Sequence, residues 1–197
     1  MYVNRLKMKI FNYRTLVLLS FMLIMISIRV IAPLSPDFKA IANLSGIGAI
    51  ALFGGTYLKD RTSAFLLPML VLFLSDLGLA LTMGKDYGFY EGWYYTYIAF
   101  ALMVLVARLI IKKVNFQNLF LATLIGVVIH WLISDIGTWQ YFDTYPHTFS
   151  GYIACLIGAI PYELNFLYGT AIYAAIMFAA FEGLKLKFPS LKLARIK

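Results

Sequence analysis

Apolar runs of membrane-spanning length alternate along this chain with short joints rich in charge, glycine or proline. A helix rises about 1.5 Å per residue and the hydrocarbon core of a bilayer is about 30 Å thick, so a span needs about 20 mostly apolar residues. Six stretches meet that requirement: Arg14–Ala32, Ala40–Leu58, Ser63–Met83, Trp93–Ile111, Leu119–Gly137 and Leu164–Leu184. A further apolar stretch, Phe149–Ile160, is too short to cross, and Pro161 is expected to end it. It reads as a re-entrant or interfacial helix. The pattern predicts an all-α membrane protein with six transmembrane helices, a single domain over residues 1–197 with no soluble part.

Composition supports that reading. With 62% hydrophobic and 13% charged residues, and a mean hydropathy of +0.82, the chain carries more apolar surface than a soluble core of its size hides. A disordered segment, a disulfide scaffold and a soluble nucleic-acid binder are excluded. The single cysteine, Cys155, leaves no internal disulfide and no cysteine metal cluster. Arg14–Ala32 exceeds the apolar core of about 7–15 residues found in a cleavable signal, and no A-x-A-like site follows it, so it is expected to remain a span.

Placement of charge then sets the expected orientation. The net charge is +8, from 17 Lys and Arg against 9 Asp and Glu. With the N-terminus inside, 14 of the 17 basic residues fall on inner segments, and only Lys39, Lys85 and Arg29 lie toward the outside. A seventh span through 149–160 would send the five C-terminal basic residues outward and spoil this asymmetry. Six spans with both termini cytoplasmic are therefore expected. Orientation alone accounts for the basic ends, which could also meet anionic lipid in that arrangement, and no nucleic-acid partner is expected.

Ionisable side chains inside a bilayer cost a few kcal/mol or more, so they usually face a partner or a cavity. Arg29, Asp76, Asp135 and Glu163 all fall toward the outer ends of their spans, with Asn43 and Asn165 at similar depth. Aromatic residues, among them Trp93, Tyr97 and Trp139, crowd the same level. Interfacial anchoring explains any one of them, but not their one-sidedness. Arg29, Asn43, Asp76, Trp93, Tyr97, Asp135, Trp139 and Asn165 are the expected lining of an outward-facing pocket, the polar set for hydrogen bonding and the aromatic set for stacking. Arg29 could instead pair with Asp76 or Asp135. His130 reads as a packing residue, and Cys155 as a small hydrophobe.

In the second span, Ala42, Gly46, Gly54 and Gly55 allow close backbone approach, either at the centre of the bundle or on a face offered to another protein. Pro68 is expected to kink the third span. No G-x-S-x-G elbow, H-E-x-x-H helix, Walker lysine loop or G-x-G-x-x-G fingerprint occurs. No catalytic residue, metal or cofactor is expected, and the protein is not expected to be an enzyme.

Several motifs carry a family resemblance: Pro36-Asp37-Phe38, the AIALFGGTY stretch from Ala49 to Tyr57, Leu74-Ser75-Asp76, and Tyr145-Pro146-x-Thr148-x-x-Gly151-x-x-x-Cys155 leading to Ala159-Ile160-Pro161 and Asn165. From about Arg29 to Glu182 the chain resembles a family of small bacterial integral membrane proteins, of unknown function or described as transport proteins, that is similar to the substrate-binding S components of energy-coupling-factor (ECF) vitamin transporters. The resemblance implies a bacterial inner-membrane protein that captures a vitamin-like micronutrient from the outer side. It also implies a separate ECF-type membrane subunit and paired ATPases as partners, with the second-span small residues Ala42, Gly46, Gly54 and Gly55 as docking candidates. The expected function is small-solute binding for uptake. The runner-up is a membrane assembly or structural protein, and the third reading is an intramembrane enzyme using Asp76 and Asp135.

Overall fold

A computed structural model of the chain describes residues 13–35, 38 and 44–192, and every regular element among them is helical. In order these are α1 (Tyr13–Ile31, continued by a 3-10 turn at Ala32–Leu34), α2 (Ile47–Tyr57), α3 (Arg61–Met83), the one-turn α4 (Lys85–Gly88), α5 (Trp93–Ile110), α6 (Phe116–Tyr141) and α7 (Phe149–Lys187), closed by a 3-10 turn at Pro189–Leu191. Five of these helices are long and apolar enough to cross a membrane, with α4 and α5 counted together as one span. The chain is a multi-pass helical membrane protein.

Local chemistry explains where the helices begin. The Asp60 carboxylate accepts from the Ser63 amide at 2.9 Å and the Ser63 hydroxyl at 3.0 Å, satisfying an orphan N–H at the start of α3. The same bonds hold its carboxyl below the ordinary carboxylate range. Asn115 caps α6 through the Asn118 amide at 2.8 Å, and Thr148 caps α7 through the Gly151 amide at 3.2 Å. Gly92 starts α5 with φ +83°, which favours glycine, and a Cβ built there would lie 2.9 Å from Gly137 Cα of α6.

Contacts at the helix ends give the order of crossing. Arg14, at the start of α1, donates to the Tyr57 carbonyl at the end of α2 (2.6 Å) and to the Leu191 carbonyl after α7 (2.9 Å). Arg108, at the end of α5, donates to the Leu58 carbonyl at 3.0 Å. One end of the bundle thus gathers the start of α1, the end of α2, the end of α5 and the end of α7, and most of the basic residues with them. With the short α2 counted between α1 and α3, the helices α1, α2, α3, α5, α6 and α7 therefore alternate in direction.

At the centre lies α2, buried along its whole length except Thr56. A helix apolar on all sides must be surrounded by others, and α2 packs against α5, α7 and α3. Its glycines permit this: a Cβ on Gly48 would lie 2.2 Å from Thr170 Oγ1, one on Gly54 2.4 Å from Pro68 Cγ, and one on Gly55 2.5 Å from the Val104 carbonyl oxygen. Toward the basic end Phe53, Tyr57, Phe178 and Phe181 form an aromatic core with ring centroids 4.5–5.6 Å apart. On the outside, large apolar residues such as Ile24, Leu66, Leu81, Leu109 and Ile176 stand exposed, as a lipid-facing surface requires.

The all-helical expectation holds, but two expected boundaries shift. The second span, expected over Ala40–Leu58, is helical only over Ile47–Tyr57 among the described residues, because Leu44–Gly46 form a non-helical entry; residues 39–43 lie outside them. Phe149–Ile160 is not a separate re-entrant helix: Pro161 does not stop it, and α7 runs unbroken for 39 residues. Proline removes one donor, the one that would serve the Ile157 carbonyl, and spanning helices tolerate that loss. Likewise α3 runs on through Pro68, whose ring packs on Gly54.

Gly55→Ala is expected to lower the thermal unfolding midpoint in detergent, at a cost of about 1–3 kcal/mol, because the new carbon meets a helix carbonyl that has no room to move. Gly183→Ala, where an added carbon meets nothing within 4 Å, is the control, expected to be neutral or stabilising by up to about 1 kcal/mol.

Candidate functional site

Opposite the basic end, three helices contribute to one polar cluster. The last turns of α1 bring Arg29, α3 brings Ser75 and Asp76, and the start of α5 brings Tyr97. Arg29 Nη1 donates to Ser75 Oγ at 2.5 Å and to Asp76 Oδ1 at 2.6 Å, while the Tyr97 hydroxyl donates to Asp76 Oδ2 at 2.8 Å. Asp76 is only 4% exposed, and the guanidinium and the Tyr97 hydroxyl replace the water that a carboxylate loses at that depth. Trp93, one turn before Tyr97, sets its ring edge-on at 4.8 Å and limits where the hydroxyl can point. Tyr90, in the joint before α5, is hydrogen-bonded to Thr96.

A second cluster ties α6 to α7. His130 Nδ1 lies 3.1 and 3.2 Å from the two Glu163 oxygens, and its ring packs 4.2 Å from that of Phe166 and 5.4 Å from that of Phe100. Asp135 is buried nearby, and its Oδ2 has no hydrogen-bond partner among the described residues. The Cys155 thiol points at the Asp135 carbonyl at 3.8 Å, Trp131 Nε1 donates to the Leu156 carbonyl at 3.0 Å, and the Tyr152 hydroxyl donates to the Leu132 carbonyl at 2.6 Å. Trp139 is tied down by donation from Nε1 to the Pro146 carbonyl at 3.0 Å and packs on Tyr152.

Beside the first cluster lies open space. Arg29, Ser45, Gly46 and Tyr173 help line a small cavity of about 50 Å³. Next to it, sharing Ile28 and Tyr173 as a wall, a groove of about 510 Å³ runs along α1 past Ile24, Ile31 and Phe38. The groove is apolar, and the small cavity is where it meets charge. Arg29 Nε and Nη2 donate to no described residue.

Of the expected lining residues, the structure brings Arg29, Asp76, Trp93 and Tyr97 together. Asp135 and Trp139 sit on α6 with the separate partners just described, Asn165 is exposed on α7, and Asn43 lies outside the described residues. Among the docking candidates, Ala42 also lies outside them, whereas Gly46, Gly54 and Gly55 are buried against Met25, Pro68 and Val104 of the same chain. Their close approaches are intramolecular, so they present no free face to a partner. Sequence reasoning missed Ser75 as a partner of Arg29, Ser45 and Tyr173 as cavity walls, and the pairing of His130 with Glu163.

Over residues 9–191 the sequence matches the family of unknown function DUF6580. The chain belongs to that family. The DUF6580 region runs from before α1 to the Pro189–Leu191 turn, so both polar clusters and the groove fall inside it. No curated protein and no solved structure matches the chain. Membership places it in an uncharacterised family, and none of these comparisons links it to ECF S components.

In this DUF6580 protein, Asp76→Asn should cost roughly 3–5 kcal/mol of stability by stranding the Arg29 charge, against about 1 kcal/mol for Tyr97→Phe. The paired apolar change Arg29→Met with Asp76→Leu is expected to recover much of that loss. A double-mutant cycle read by thermal unfolding in detergent measures the coupling.

Proposed function

We propose that the protein captures a small, partly apolar solute carrying an acidic group, of vitamin-like character, from the outer side of the membrane. One juxtaposition carries this reading: a guanidinium whose Nε and Nη2 donate to no described residue lines a carboxylate-sized cavity that adjoins an apolar groove of about 510 Å³. Ligand sites commonly combine an apolar wall for most of the surface with a few polar groups that fix orientation. Arg29 would take the acid by a charge-assisted contact. Tyr173 and the isoleucines of α1 would cover the body of the solute, and Ser45 would offer one hydroxyl. The basic residues at the opposite end support the outward orientation. The family resemblance drawn from the sequence supports uptake with an ECF-type membrane subunit and ATPases in a bacterial inner membrane.

A second reading, a membrane assembly component, is favoured by the engagement of Arg29 Nη1, Ser75, Asp76 and Tyr97 with one another. An intramembrane enzyme working through Asp76 and Asp135 has less support, since both Asp76 oxygens are held by Arg29 and Tyr97.

Mass spectrometry of small molecules extracted from the detergent-purified protein separates these readings. Wild type is expected to retain a small organic acid near one per chain. Ser27→Trp, at an exposed position on the groove wall, is expected to cut retention at least about tenfold at an unchanged unfolding midpoint. Recovery of no ligand, with no binding across a vitamin panel, would overturn the uptake reading.

A further inference from the structure

The basic end of the bundle holds a crevice of about 590 Å³ that the solute site leaves unused. Five cationic side chains line it, Arg14, Lys112, Lys113, Lys185 and Lys192, against one carboxylate, Glu182. That carboxylate is spoken for. Lys185 Nζ lies 2.7 Å from both Glu182 oxygens, and the Tyr57 hydroxyl donates to Glu182 Oε1 at 2.6 Å. Arg14 is held in place by the Tyr57 and Leu191 carbonyls, which carry no net charge, and it shares the Glu182 carboxylate with Lys185. The Lys112 ammonium reaches the Arg108 carbonyl, at 2.8 Å, and the Lys113 and Lys192 ammonium groups meet no partner among the described residues. The crevice's described lining therefore holds five cations against one carboxylate, a fixed guanidinium among the five.

Its apolar wall is equally informative. Ile111, Val114 and Leu186 line the same crevice, and Leu186 is 81% exposed. A site for a freely soluble anion has no use for an exposed leucine beside its lysines. These residues end α5, lead into α6 and end α7, the level at which a spanning helix meets lipid headgroups and at which lysine stems lie along apolar surface with their ammonium groups in the polar layer.

The geometry points to a binding site for one anionic phospholipid, its phosphodiester held by Arg14, Lys113 and Lys192 and an acyl chain laid against Val114 and Leu186. Guanidinium and ammonium donors converging on phosphate oxygens give the charge-assisted bonds, and the leucine and valine distinguish a lipid from a free phosphate. The site is independent of the Arg29 cavity at the other end.

The test uses the full chain in neutral detergent, titrated with mixed micelles containing phosphatidylglycerol, with micelles containing phosphatidylcholine, or with inorganic phosphate alone, and followed by unfolding midpoint and native mass spectrometry. Phosphatidylglycerol is expected to raise the midpoint by about 3 °C or more and to give a one-lipid adduct. The double variant Lys113→Gln with Lys192→Gln, both exposed, should bind that lipid about thirtyfold more weakly with its lipid-free midpoint unchanged. Leu186→Gln should weaken the lipid arm. Equal shifts with phosphatidylcholine, a shift reproduced by inorganic phosphate alone, or full lipid binding by the double variant would each overturn the assignment.

Discussion

The close seating of α2 among its neighbours is the constraint on which the rest of the bundle depends. Eleven residues are too few to cross a bilayer alone, so α2 is shielded from lipid by α3, α5 and α7 instead of facing it. Glycine at 48, 54 and 55 brings those helices to backbone distance. Without a hydrophobic driving force between helices in lipid, such contacts and interhelical hydrogen bonds are what hold the helices together. Polar ties on the α1–α3 side run through Arg29 and Asp76, and on the α6–α7 side through Trp131, Tyr152 and the His130–Glu163 contact. Packing at the centre and polar ties at the flank divide the work.

That division also segregates charge along the axis. At one end Asp76 is bound to a guanidinium and a hydroxyl and Glu163 meets an imidazole, and at the other cations outnumber carboxylates. The Arg14 carbonyl contacts stitch three helix ends at the cationic side without using a carboxylate, which leaves that side electrically open. Among the described residues the Arg29 side carries more carboxylates than cations, so the apolar groove ends on one of its few positive charges.

Much of this was legible in the sequence, and the reasons for the rest are specific. Spans near α1, α3, α5 and α6 follow from apolar length, which is a strong signal. The start of α2 does not: apolar residues continue upstream of it, and the local break at Ser45-Gly46 is too brief to interrupt that length. Pro161 reads as a stop because a soluble helix would end there, whereas a spanning helix has fewer alternatives for its backbone. Arg29 and Asp76 were both conspicuous as buried charges, but choosing Asp76 over Asp135 as the partner needs the fold, since the pair is 47 residues apart. His130 and Glu163 are 33 apart on different turns of different segments, with no periodicity connecting them. Tyr173 carried no signal, being one aromatic among many.

The uninterrupted length of α7 has a mechanical consequence. At 39 residues it measures about 58 Å, nearly twice the hydrocarbon thickness it must traverse. Such a rod either slants or overhangs, and the balance shifts with the width of the surrounding bilayer. Since Glu182 and Lys185 ride on the same rod as Trp139's neighbour Tyr152, a change in slant imposed at one leaflet is felt as a displacement at the other, making membrane thickness itself a variable that the two ends of the molecule share.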